Sequence, residues 1–125
     1  LFTKQPLRIS RAILPGASFV TRVSACTGHV NLTHRCAENV LRGKDIVGDR
    51  RLYFSRTGLS DELRKVDGEL QFEQILAKDY GFEIIHAQQL DFSQQVVLIN
   101  SARVVAGTVG SALHTLLFSL VQDQQ

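Results

Sequence analysis

The sequence predicts an α/β fold, a Rossmann-like three-layer domain with a mainly parallel sheet. Three observations carry that expectation. Short runs of β-forming residues alternate with stretches of helical periodicity, glycines mark the junctions, and the order along the chain reads β-α-β-α-β-α-β-α. Strands joined by crossover helices run parallel and need cover on both faces, which gives three layers.

The elements follow in order. Residues 7–14 (LRISRAIL) alternate apolar and polar side chains and stop at Pro15-Gly16, a strand followed by a turn. Residues 31–41 place Leu32, Cys36, Ala37, Val40 and Leu41 on one helical face, with Gly43 as the C-terminal stop. A second strand is expected at 51–55 (RLYFS), and a polar segment with Gly58 and Gly68 as breakers follows it. From Glu69 to Tyr80, Phe72, Ile75, Leu76 and Tyr80 recur at helical spacing, and Gly81 ends the run. Residues 82–86 (FEIIH) form a short strand. Asp91-Phe92-Ser93-Gln94 matches the capping box in its Asp/Gln form and predicts a helix to about Ser101. The next strand is 103–106 (RVVA), then a turn over 107–110 (GTVG). The last helix presents Leu113, Leu116, Leu117 and Leu120 as an apolar stripe, and the Gln-rich tail at 122–125 is expected to fray.

A chain of 125 residues fits one domain, taken here as 1–125. Its 44% hydrophobic and 21% charged residues are those of an ordinary soluble globular protein. No run approaches the ~18 apolar residues of a membrane span. The opening Leu1-Phe2-Thr3-Lys4 lacks the build of a signal peptide, and the chain contains no Met, so a fragment of a longer protein is expected. Cys26 and Cys36 are too few for a disulfide scaffold, which makes the reducing cytoplasm the default compartment.

A net charge of +2 argues against bulk nucleic-acid binding, but its distribution is uneven. Residues 1–56 carry ten Lys/Arg against three acids, a balance of +7; residues 57–125 carry four against nine, a balance of −5. Such asymmetry either focuses a field that attracts anionic ligands or is a solvated basic face.

The most informative stretch is 103–118, RVVAGTVGSALHTLLF. A strand runs into a glycine turn and a helix opens with Ser111. In doubly wound folds ligands bind beyond the carboxyl ends of the strands, where helix N-termini offer free N–H groups to phosphate. Gly107 and Gly110 permit close backbone approach and Ser111 adds a hydroxyl; the alternative is a plain strand-to-helix turn. His114 lies one turn into that helix and off its Leu stripe, which allows it to face the crevice. Arg56 follows RLYFS directly, and its planar fork suits a diphosphate. Arg50 and Arg51, at the strand's beginning, are surface charges. Glu69 opens a helix, where a carboxylate also complements the macrodipole. Cys26, His29, His34 and Cys36 mimic a zinc cluster, but two residues apart on a helix His34 and Cys36 cannot share a face, so no metal is expected. His86 closes a strand near the crevice edge. No Walker loop, G-x-S-x-G or HExxH is present.

Taken together, YFSR (53–56), Glu69, GFEII (81–85), LDFSQQ (90–95), ARVVAG (102–107) and GSALHTLLF (110–118) resemble glycosyltransferase family 61, with RAILPG (11–16) as the entry to the region. The resemblance maps the family's serine-arginine pair to Ser55 and Arg56, its helix-opening Glu to Glu69, its helix Gln to Gln95, and its glycine signature to Gly107, Gly110 and Ser111. Val109 stands where many members have His, and Thr115 where Asn is frequent, while G-S-A-L-H with His114 looks like a bacterial, capsular-polysaccharide-type form. The resemblance implies the C-terminal, nucleotide-sugar-binding lobe of a GT-B transferase, inverting and metal-independent. No cofactor is implied beyond the nucleoside-diphosphate sugar that serves as donor. The implied partners are that donor, a saccharide acceptor and the N-terminal lobe, with a homodimer as a further possibility and no nucleic acid. The catalytic base is expected from the other lobe. The alternative is a non-catalytic α/β binding or assembly module that keeps the fold without the activity, motivated by Val109.

Overall fold

The computed structural model describes residues 11, 19–20, 24–60, 66–108 and 110–125. The strand expected at 7–14 therefore lies outside the described residues, Arg11 excepted. A minimal antiparallel pair, β1 (Phe19–Val20) and β2 (Ser24–Ala25), precedes helix α1 (Thr27–Leu41). Then come β3 (Arg50–Phe54), α2 (Glu69–Tyr80), β4 (Glu83–Ile85), a 3-10 turn (Ala87–Gln89), α3 (Phe92–Asn100), β5 (Ala102–Gly107) and a longer 3-10 helix (Ser111–Phe118). The fold is α/β, with β3 to β5 forming a three-stranded parallel sheet in the order β4-β3-β5.

That order sets the layers. The chain steps from β3 to one side, into β4, and then crosses back over β3 to reach β5. Right-handed crossovers in opposite directions put α2 and α3 on opposite faces. Side chains alternate along β3 accordingly. Tyr53 faces α2, its ring 5.6 Å from that of Phe72 and edge-on to it. Leu52 and Phe54 face the other way, where the fully enclosed side chains Leu52, Phe54, Val96 and Ile99 make the core. On this side α1, α3 and the longer 3-10 helix pack on one another.

Local chemistry fixes the ends. The capping box forms as its sequence pattern predicts: Gln94 N–H donates to Asp91 Oδ1 and Asp91 N–H to Gln94 Oε1, each 2.8 Å. Gly81 ends α2 at φ 68°, a left-handed conformation that a β-carbon disfavours. At the end of β5, Gly107 is needed for space, because a β-carbon there would stand 3.0 Å from the Phe54 carbonyl oxygen.

Four expectations are corrected. Phe72, Ile75 and Tyr80 of α2 are 50%, 48% and 58% exposed, while Glu69 and Glu73, at 3% and 6%, form its buried face. Facing them are the Tyr53 hydroxyl of β3 and the hydroxyls and N–H of the 55–57 loop, which need acceptors that an apolar face would not supply. In α1, Leu32 is exposed and Thr33 joins Ala37 in the interior. The last helix is 3-10 in type, and Thr115 Oγ1 donates to the Ala112 carbonyl at 2.9 Å, the i to i−3 reach of the tighter turn. The tail does not fray: Gln125 exchanges backbone hydrogen bonds with Arg103 and Val105, at 2.9 and 2.7 Å, along β5. Gln124 Nε2 donates to the carbonyls of Ile99 and Ala102 at 2.8 and 2.9 Å. The tail thus covers backbone that an edge strand would otherwise leave unpaired.

Candidate functional site

Beyond the carboxyl ends of β3 and β5 lies a cavity of about 310 Å³. The end of β3 contributes Phe54, Ser55 and Arg56; the segment after β5 contributes Thr108, Gly110 and Ser111; Gln95 of α3 closes it. Parallel strands make this convergence unavoidable. Phe54 and Gly107 are register partners, so whatever follows each of them emerges at the same rim. Ser111 opens the 3-10 helix after Gly110, and no side chain caps that end, which leaves its first N–H groups without the usual internal acceptor. Thr108 Oγ1 is buried and has no hydrogen-bond partner.

The loop bearing Arg56 is held from beneath by α2. Glu69 Oε1 accepts from the Tyr53 hydroxyl at 2.9 Å and from the Arg56 backbone N–H at 3.2 Å. Glu73 Oε1 accepts from the hydroxyls of Ser55 and Thr57, the latter at 3.0 Å. Thr57 N–H donates to Ser55 Oγ at 3.0 Å, closing a small turn. Burial, then the bond to Glu69, then the charges of Glu69 and Glu73 push the Tyr53 phenol up to about 12. Glu69 Oε2 is buried without a partner.

Of the residues named from sequence, Arg56, Gln95, Gly110 and Ser111 line the common cavity. Gly107 stands at its strand edge, in contact distance of Phe54. Glu69 lies behind Arg56 and borders a second cavity of about 460 Å³, together with His86, whose Nδ1 is buried and unpartnered. Gln95 is bound on all sides: its Nε2 donates to the carbonyls of Ala87 and Leu90 at 3.1 Å each, and its Oε1 accepts from Thr115 at 3.2 Å. It brackets the cavity wall as much as it faces it. His114 is exposed and borders neither cavity. Arg50 and Arg51 sit at the opposite end of the middle strand, Arg50 in a bidentate pair with Glu83 and Arg51 donating to the Tyr80 carbonyl at 3.1 Å. Among the described residues, no group of three or more His, Cys, Asp or Glu is placed to hold a metal ion, and both cysteines are free.

Sequence reasoning missed Glu73 and Thr108. Glu73 follows Glu69 by four residues, the spacing that puts both on one face, and that was its available signal. Thr108 carries no signal beyond lying between two glycines.

Comparison with known proteins bears on this site. A search of curated proteins and a search of solved structures return no match. The family model described as Glycosyltransferase 61 matches residues 6–123, nearly the whole chain and all of the cavity's walls. No helix among the described residues is long and apolar enough to cross a membrane. The chain belongs to glycosyltransferase family 61, enzymes that move a sugar from a donor to an acceptor.

Proposed function

We propose that this chain is the donor-binding lobe of a transferase of the GT-B type, and that the cavity beyond β3 and β5 takes the diphosphate of a nucleotide sugar. The observation that carries the reading is the meeting of Arg56 with Gly110 and Ser111 on one cavity at the carboxyl rim of a parallel sheet. Arg56 offers a planar donor fork, and the start of the 3-10 helix offers backbone N–H groups. Thr108 supplies a buried hydroxyl in want of a partner. At about 310 Å³ the cavity is at the lower bound of small-molecule sites, enough for part of a nucleotide sugar, with the remainder against the other lobe.

In this reading the chemistry is an inverting displacement at the anomeric carbon, without a metal. The acceptor hydroxyl attacks as a base from the N-terminal lobe takes its proton, and the C–O bond to the diphosphate breaks. Negative charge that grows on the leaving diphosphate is met by Arg56 and the N–H groups around Gly110, where fixed donors are worth most. Calorimetric titration of the chain with UDP, GDP and ADP tests the reading. One of them is expected to bind, and Arg56→Ala to weaken it about tenfold or more, the worth of a charge-assisted pair. A folded chain that binds none of the three would overturn it.

A further inference from the structure

We infer that Glu73 is a positioning residue for this site, acting through Arg56. The inference rests on the proposed diphosphate pocket and adds to it a residue that touches no ligand. Helix α2 is built against the usual rule: its apolar residues Phe72 and Ile75 are half exposed, and its buried residues are two acids one turn apart. Burying a carboxylate is costly unless it is well bonded, so such a face persists only where its partners require it.

Those partners bracket one residue. Glu69 takes the backbone N–H of Arg56 itself, and Glu73 takes the hydroxyls of Ser55 before it and Thr57 after it. Ser55 is 6% exposed and also accepts from the Thr57 N–H, so the three-residue loop is tied at every position. Arg56 has several rotatable bonds of its own; a backbone that wandered as well would lose the guanidinium's aim. A fork held in place before the ligand arrives has less freedom to lose on binding. Glu69 also serves Tyr53, whereas the described side-chain bonds of Glu73 all go to this loop, so Glu73 is the clearer test.

The experiment compares Glu73→Ala, Glu73→Gln and a control on the exposed neighbour, Gln74→Ala, in the same chain. Circular dichroism and a thermal melt show that each is folded, and calorimetry with the best of UDP, GDP and ADP reads affinity. Glu73→Ala is expected to bind about tenfold more weakly, the scale of two lost bonds to a charged acceptor. Glu73→Gln, which keeps an acceptor oxygen for the loop, is expected to recover most of that loss, and Gln74→Ala to bind as the unaltered chain does. In an Arg56→Ala background, Glu73→Ala should cost almost nothing further, since its effect passes through the side chain already removed. A merely structural role would lower the melting temperature yet leave the affinity of the folded protein unchanged, and that result overturns the inference. So does a loss that adds in full to that of Arg56→Ala. If the unaltered chain binds no nucleotide, the diphosphate reading falls by itself. Amide exchange at Arg56 and Thr57 then decides the positioning role: faster exchange in Glu73→Ala than in Glu73→Gln upholds the clamp, and equal protection removes it.

Discussion

Tyr53 shows how a single side chain is tuned by this packing. It sits at 3% exposure in the middle strand, its hydroxyl donating to Glu69 while its ring meets Phe72. Burial disfavours the phenolate, only the protonated phenol can make that bond, and a phenolate would face two carboxylates, so the proton is held up to about 12 rather than 10.0. In the unfolded chain the phenol loses its proton at the ordinary value. The stabilisation is therefore complete below about pH 10 and disappears as pH climbs through the folded-state value, the direction linkage requires for a raised pKa. The sequence has two tyrosines and no tryptophan, so in Tyr80→Phe the ultraviolet phenolate signal belongs to Tyr53 alone. That signal is expected near pH 12, and nearer 10 once Glu69→Gln removes the charge. A phenol that titrates near 10 in the folded Tyr80→Phe chain would show that Tyr53 is neither enclosed nor bonded to Glu69.

Elements are held by shape as well as by bonding, and the strand pair β3 and β5 depends on a missing side chain. A β-carbon at Gly107 would lie 3.0 Å from the Phe54 carbonyl oxygen and 3.2 Å from its β-carbon, both parts of a fully enclosed residue. Gly107→Ala is expected to destabilise the fold by about 1–3 kcal/mol, the range for overpacking, and denaturant unfolding reads it. At Gly110 the nearest atom to an added β-carbon is 3.8 Å away, so Gly110→Ala should unfold where the unaltered chain does and weaken nucleotide binding alone. Equal stability losses at the two glycines would contradict this division. Much of this layer was legible in the sequence: the three strands of the sheet fall within a residue of their predicted positions, and the Asp91–Gln94 box forms as written. Local propensity and capping suffice there. The inverted face of α2 was not legible, because periodicity reports where apolar residues recur and not which face the hydroxyls of Tyr53 and of the loop after it will claim. Nor was the docked tail, since the bonds of Gln124 and Gln125 reach back twenty residues or more to α3 and β5. Of the candidate site, the rim at Arg56, Gly110 and Ser111 could be read from strand ends. The support behind it could not, for Glu73 gains its partners only when α2 is laid on β3.

Across the whole molecule, the middle strand separates two sets of arginines with different work. At its start, Arg50 pairs with Glu83 and Arg51 reaches the Tyr80 carbonyl, fastening β3 to β4 and to the end of α2. Beyond its end, Arg56 borders the cavity. Five to six residues of chain, most of them strand at ~3.3 Å each, put up to about 17–20 Å between them. That exceeds the Debye length of about 8 Å at physiological ionic strength, so the fastening charges are screened from an anion at the far rim. The pair Arg50–Glu83 is itself 36% and 47% exposed, which keeps it among surface ion pairs worth at most about 1 kcal/mol. The bond to Arg50 lowers the Glu83 pKa, so this small contribution exists above the ordinary carboxylate range and is lost as pH falls below it. Arg50→Gln is therefore expected to cost a fraction of a kcal/mol near neutral pH, to cost less in acid, and to leave nucleotide affinity unchanged at physiological salt. Denaturant unfolding at two pH values, with calorimetry on the same protein, measures all three. If Arg50→Gln weakened nucleotide binding as Arg56→Ala is expected to, the proposed diphosphate site would have to draw on the basic face as a whole, and its placement at one rim of the sheet would lose its meaning.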